Sequence, residues 1–209
     1  MGMTSQDWKT SSEAHAFLGN SLLAPMSRTG KVGLDPGFWA AFPTFGDAGV
    51  ESALAACTEY ARAASELDRE QAAQNVCVEY TRLFIGPPSP AAPPWETMYE
   101  REGANAGFGE ATFQMRAALK DLGLALSNKN NQFEDHLGIE LLYLSELCAR
   151  RADGRIGEGD EAIAGFIAEH PLSWIGAFEA RIADVYPKGY YSALVGLTIA
   201  LLNAQASML

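Results

Sequence analysis

Apolar residues recur at helical spacing along nearly the whole of this 209-residue chain, and β signals are scarce. The clearest stretch is 134–152, where Leu137, Leu141, Leu144 and Cys148 fall at i, i+4, i+7 and i+11 before Asp153-Gly154 closes the run. The same period predicts helices over 5–24, 50–67, 110–122, 160–170, 172–186 and 190–206, with Pro25, Pro171 and Pro187 as punctuation. Asp68 is placed to cap a helix that runs through Val76 and Tyr80 to Phe84 and stops at Gly86. Residues 30–49 form a loop rich in glycine and proline, and Phe38, Trp39, Phe42 and Phe45 are expected to tuck it onto the core. The expected architecture is all-α: a single helical bundle of eight or nine helices over residues 1–209.

Two interruptions break this pattern. Pro87, Pro88, Pro90, Pro93 and Pro94 predict an extended, largely polyproline stretch. Residues 127–132, Ser-Asn-Lys-Asn-Asn-Gln, form a polar connector and the expected hinge. A hinge there suits either a monomer or a domain-swapped dimer.

The formal net charge is −11 and the pI about 4.7. Nucleic-acid binding needs clustered Lys and Arg. The one basic cluster, Arg150-Arg151 with Arg155, instead suits a helix C-terminus. An acidic surface attracts basic partners. Cys57, Cys77 and Cys148 are far apart and form no CxxC pair, so neither a zinc site nor a disulfide framework is expected, in keeping with a reducing cytoplasm. The first nine residues lack the order of a signal peptide. The longest apolar run, 193–202, is about half of a membrane span, so no integral membrane segment is expected.

No GxxxxGK(S/T), GxGxxG, HExxH or GxSxG motif is present. His136 and Glu140 share a helix face, but no second helix offers a matching Glu-x-x-His pair, so no metal and no cofactor are expected. The polar pair Asp135-His136 has two readings: helix-start chemistry, or hydrogen-bonding groups offered to a cationic peptide. Tyr80, Leu83 and Phe84 lie on one face, as core or as an apolar groove. Gly86 ends their helix. Pro93-Pro94-Trp95-Glu96 is either a stiff loop held down by Trp95 or a rigid recognition surface that loses little entropy on binding.

Three blocks here resemble the TorD/DmsD family of redox-enzyme maturation chaperones. The first is Tyr80-Thr81-Arg82-Leu83-Phe84-Ile85-Gly86-Pro87. The second is Pro93-Pro94-Trp95-Glu96-Thr97, with Thr97 where the family commonly has serine. The third is Phe133-Glu134-Asp135-His136, with Phe133 where proline is frequent. The resemblance implies an all-helical cytoplasmic chaperone, with no catalytic turnover, that binds the twin-arginine leader of a DMSO-reductase-type molybdoenzyme and delays export until cofactor loading. Its implied peptide-binding residues are Tyr80, Leu83, Phe84, Gly86, Pro93, Pro94, Trp95, Glu96, Asp135 and His136. Guanine-nucleotide binding, associated with some members, does not carry over to a chain without a phosphate loop. The alternatives are a structural assembly subunit and a helical hydrolase using His136 with Asp135 or Glu140.

Overall fold

The structure is a computed structural model and describes residues 2–100, 108–126, 132–155 and 159–209. Residues 127–131 of the expected hinge lie outside them. The described residues form α1 (Ser5–Leu23), α2 (Met26–Thr29), α3 (Pro36–Ala40), α4 (Ala48–Ser65), α5 (Arg69–Tyr80), α6 (Glu110–Asp121), α7 (Leu137–Ala152), α8 (Asp160–Glu169), α9 (Pro171–Val185) and α10 (Tyr190–Met208). No strand occurs among the described residues, and the fold is all-α as expected.

Local chemistry sets the helix starts. Thr4 caps α1 in a reciprocal box with Asp7, while Asp35, Asp47 and Asp68 each accept a first-turn N–H of α3, α4 and α5. Arg150 and Arg151 close α7, where Arg150 pairs with Glu146 and Arg151 with Asp160. The loop aromatics reach the core as expected: Trp39 and Phe42 are buried and ring-pack with Phe17 and Phe38. All three cysteines are free.

α1 lies along α7, while α10 packs against α4 and α9. The α1–α7 crossing is a backbone contact. A Cβ added at Gly19 would sit 2.7 Å from the Gly138 carbonyl oxygen, and one at Gly138 would sit 2.7 Å from that of Gly19. Farther along, His15 Nε2 and Gln205 Oε1 are 2.6 Å apart, and the Gln205 amide reaches Cys148 Sγ, so one buried link joins α1, α10 and α7.

Two expectations are corrected. α7 begins at Leu137, three residues later than its periodicity suggests, because Asp135 and His136 are held extended against Trp95. The proline stretch is no continuous polyproline rod. The peptide bonds before Pro87 and Pro88 are cis, and the chain turns back so that the Ala91 and Ala92 N–H groups donate to the Arg82 and Leu83 carbonyls. By length and composition alone α10 could also cross a membrane, a test that the core helix of a folded protein passes as well, and 50% of its apolar window is buried.

Candidate functional site: a buried polar junction beneath the Pro-Trp loop

The second and third blocks meet as an isolated antiparallel bridge between Trp95 and His136. The Glu96 N–H donates to the Asp135 carbonyl at 3.0 Å, and the Leu137 N–H donates to the Pro94 carbonyl at 2.9 Å. The Trp95 and His136 rings meet edge to face, 5.9 Å between centroids. This pairing stops α7 one residue short of His136.

Asp135 has no solvent exposure, and both of its carboxylate oxygens are occupied. Oδ2 accepts from the Thr97 N–H at 3.0 Å and Oδ1 from the Thr112 hydroxyl at 3.0 Å. One carboxylate thus ties the loop, α6 and the entry of α7 together. His136 is the N-cap of α7: its Nδ1 accepts the Gly138 N–H at 2.9 Å. That role needs an unprotonated Nδ1, and burial pulls the imidazole down to about 3, so the ring is neutral.

A second layer lies under the bridge. Glu96 is buried, with Oε2 2.9 Å from His170 Nδ1 at the α8–α9 junction and Oε1 3.5 Å from the Ser173 hydroxyl. Glu140 is fully buried in the first turn of α7, and neither of its oxygens has a hydrogen-bond partner among the described residues. Burial, then the Glu96 and Asp135 carboxylates, push its pKa well above the ordinary value. The Trp174 indole faces it, and Trp174 Nε1 and Trp95 Nε1 are likewise buried without partners. Tyr99 stacks on Trp174 at 5.1 Å and donates its hydroxyl to the Pro93 carbonyl at 2.9 Å, which anchors the loop from below.

The first block enters the same core from the other side. Tyr80 and Phe84 pack against Tyr191 of α10, and Phe84 continues to Phe178, which touches Tyr99 and Trp174. Tyr80, Leu83 and Phe84 are all interior, and burial raises the Tyr80 phenol to about 12. After Tyr80 the helix widens into a π-turn over Thr81–Ile85, closed by the Gly86 N–H to the Thr81 carbonyl. Gly86 has φ +94°, and a Cβ there would lie 2.7 Å from the Ser89 backbone, so both conformation and space call for glycine.

Of the ten candidate residues, Trp95 is half-buried and the other nine are buried. The junction brings Pro93, Pro94, Trp95, Glu96, Asp135 and His136 into one hydrogen-bonded assembly. Tyr80 and Phe84 join it through the aromatic chain, and Leu83 through its carbonyl, which accepts the Ala92 N–H of the loop. His136 makes no hydrogen bond to Asp135 or Glu140. No group of His, Cys, Asp or Glu among the described residues is placed to hold a metal ion.

Residues 46–180 match the protein-family model described as nitrate reductase delta subunit. The chain belongs to this family, the TorD/DmsD family. It is 29% identical over 130 residues to a probable Tat proofreading chaperone DmsD of Haemophilus influenzae, covering 62% of this chain and 60% of that protein. To a chaperone protein TorD of Vibrio cholerae it is 28% identical over 140 residues, 65% of this chain and 63% of the relative. A TorD of Shewanella pealeana aligns at 28% identity over 152 residues, 69% and 65%. The match therefore spans less than two thirds of these relatives' lengths. All three TorD/DmsD blocks fall inside the matched stretch.

Sequence reasoning missed several members of the assembly. Glu79 is buried and accepts the Tyr190 and Tyr191 N–H groups at 3.1 and 2.7 Å, so it anchors the start of α10. His170, Thr112 and Ser173 were also passed over. For Glu79 a signal existed: it lies between Val76 and Leu83 on an apolar helical stripe, as Glu140, already noted beside His136, lies between Leu137 and Leu144. Thr112 and His170 carry no such mark.

Proposed function

We propose that this protein is a cytoplasmic chaperone that binds the twin-arginine leader of a DMSO-reductase-type molybdoenzyme precursor and delays export until cofactor loading is complete. The observation that carries the reading is the convergence of the family's three blocks on one junction whose acids and histidine are already engaged in holding backbone. Asp135 and His136 spend their polar atoms on Thr97, Thr112 and Gly138. Such groups shape a surface and offer no nucleophile with an adjacent base, which favours a binding protein over the hydrolase alternative. In this reading Trp95 touches the leader, and Tyr80, Leu83, Phe84, Gly86, Pro93, Pro94, Glu96, Asp135 and His136 hold the surface that receives it. The net charge of −11 suits a ligand whose recognition element is a pair of arginines. The relatives' names, Tat proofreading chaperone and chaperone TorD, point the same way.

The test is calorimetric titration of the purified protein with a synthetic twin-arginine leader peptide. Saturable binding that is lost when both arginines become alanine is the expected result. Absence of binding across several leaders would overturn the proposal in favour of a structural assembly subunit.

A further inference from the structure

Among the described residues the exposed phenylalanines are Phe108, Phe113 and Phe133, and all of them meet beside α6. The Phe108 ring centroid lies 5.0 Å from that of Phe113 and 5.5 Å from that of Phe133. The Arg116 guanidinium stands over the Phe108 and Phe113 rings, at 5.9 and 5.8 Å. Next to this rim opens a cleft of about 490 Å³ with Leu119, Leu124 and Leu126 in its wall. Phe133 and Arg116 line it too, so rim and cleft are continuous. Its cations are Arg116 and Lys120, and its acid is Glu134. Glu134 is already engaged, since its two oxygens accept from Arg116 Nε at 2.7 Å and Nη2 at 3.0 Å. Lys120 has no ion-pair partner among the described residues. Gln132 Oε1 is buried in the same lining and has no hydrogen-bond partner among them.

Exposed rings gathered at a concave apolar cleft point to a surface that a partner covers. An unpaired lysine beside it favours a carboxylate, and an orphaned amide oxygen calls for an N–H, which a polypeptide backbone supplies. The twin-arginine leader has the wrong sign for this face, because its arginines would meet Arg116 and Lys120. A second copy docked face to face would bring the same two cations against these. An anionic membrane is too flat to fill a cleft and is repelled by a chain of −11 net charge.

We propose that this cleft and its phenylalanine rim dock an acidic, apolar segment of another polypeptide, whose apolar side chains enter the cleft and whose carboxylate pairs with Lys120. The surface is separate from the Trp95 junction and does not rest on leader binding.

At about 0.15 M salt the Debye length is about 8 Å, so charges in contact outweigh the net charge of −11. Under that condition, fluorescence anisotropy is measured for a labelled synthetic peptide of leucine, phenylalanine and glutamate. Its counterpart carries lysine in place of glutamate. Wild type should bind the glutamate peptide at least ~10-fold more tightly than the lysine peptide. Phe113→Ser/Phe133→Ser should weaken that binding at least ~10-fold, and Lys120→Glu at least ~5-fold. Lys9→Glu, the same charge change at an exposed site of α1, should stay within about two-fold of wild type. Circular dichroism checks that the double variant is folded, and Lys120→Glu decides if it is not. Wild type that binds neither peptide, or binds the lysine peptide as well, overturns the proposal. So do cleft variants that bind as wild type does, or a Lys9→Glu loss as large as that of Lys120→Glu. None of these results bears on leader binding, which titration with the leader tests by itself. A wild-type dimer that the double variant splits would give the surface to a second copy. Binding to phosphatidylglycerol vesicles that the double variant abolishes would give it to a membrane, and either result overturns the polypeptide occupant.

Discussion

Glu140 shows how the junction is balanced at the level of one residue. Its carboxyl lies under the Trp95–His136 bridge and faces Glu96, with its His170 and Ser173 partners, Asp135, with its Thr97 and Thr112 partners, and the Trp174 indole. The folded-state pKa is raised above the ordinary 4.5, so the folded protein binds a proton that the unfolded chain releases. The stability tied to that proton is fully present below about 4.5 and is lost as pH rises through the folded value. Glu140→Gln keeps the shape and cannot ionise. It should match wild type in acid and be more stable by about 1–3 kcal/mol at neutral pH. Urea unfolding across this range checks it. A variant less stable at neutral pH would mean that Glu140 is ionised and serves a cation. His136 acts with the opposite sign. Its folded value of about 3 lies below the ordinary 6.5, so stability is lost as pH falls between them. That loss is common to both proteins and cancels in the difference.

Among the elements, the α1–α7 crossing fixes where the junction sits, because Gly138 is both the helix contact and the N–H that His136 caps. Gly138→Ala gains ~1 kcal/mol of helix propensity. Its Cβ would meet the Gly19 carbonyl at 2.7 Å and Leu23 Cγ at 2.6 Å, and backbone cannot rotate away. Displacing a packed helix outweighs the propensity gain, so a net loss of ~1–3 kcal/mol is expected in thermal or urea unfolding. A stabilised variant would show that the crossing is looser than described. The helices themselves were legible because period and caps are local. The expectation of 5–24 became Ser5–Leu23, and Asp68 caps α5 as its position suggests. What the sequence could not show was pairing across distance. The Trp95–His136 bridge shortens α7, turns its expected first-turn histidine into a cap, and has no local trace. Nor does spacing separate an aromatic stripe that faces a ligand from one that faces the core, which is why Tyr80, Leu83 and Phe84 carry both readings, core and groove.

For the molecule as a whole, charge and apolar surface divide the work of recognition. The net charge of −11 acts over the Debye length, roughly 10 Å at 0.1 M salt, and so governs encounter. Apolar surface acts only on contact and governs residence. If the leader docks as proposed, raising salt from about 0.05 to about 0.5 M should slow association ~10-fold and change dissociation by less than about two-fold. Stopped-flow measurement of both rates separates the two. A leader whose arginines are replaced by lysines should keep the salt dependence of association, since the charge that is steered is the same. Salt that acted chiefly on dissociation would mean that the arginines are held in ion pairs in the bound state, and would overturn the assignment of charge to encounter.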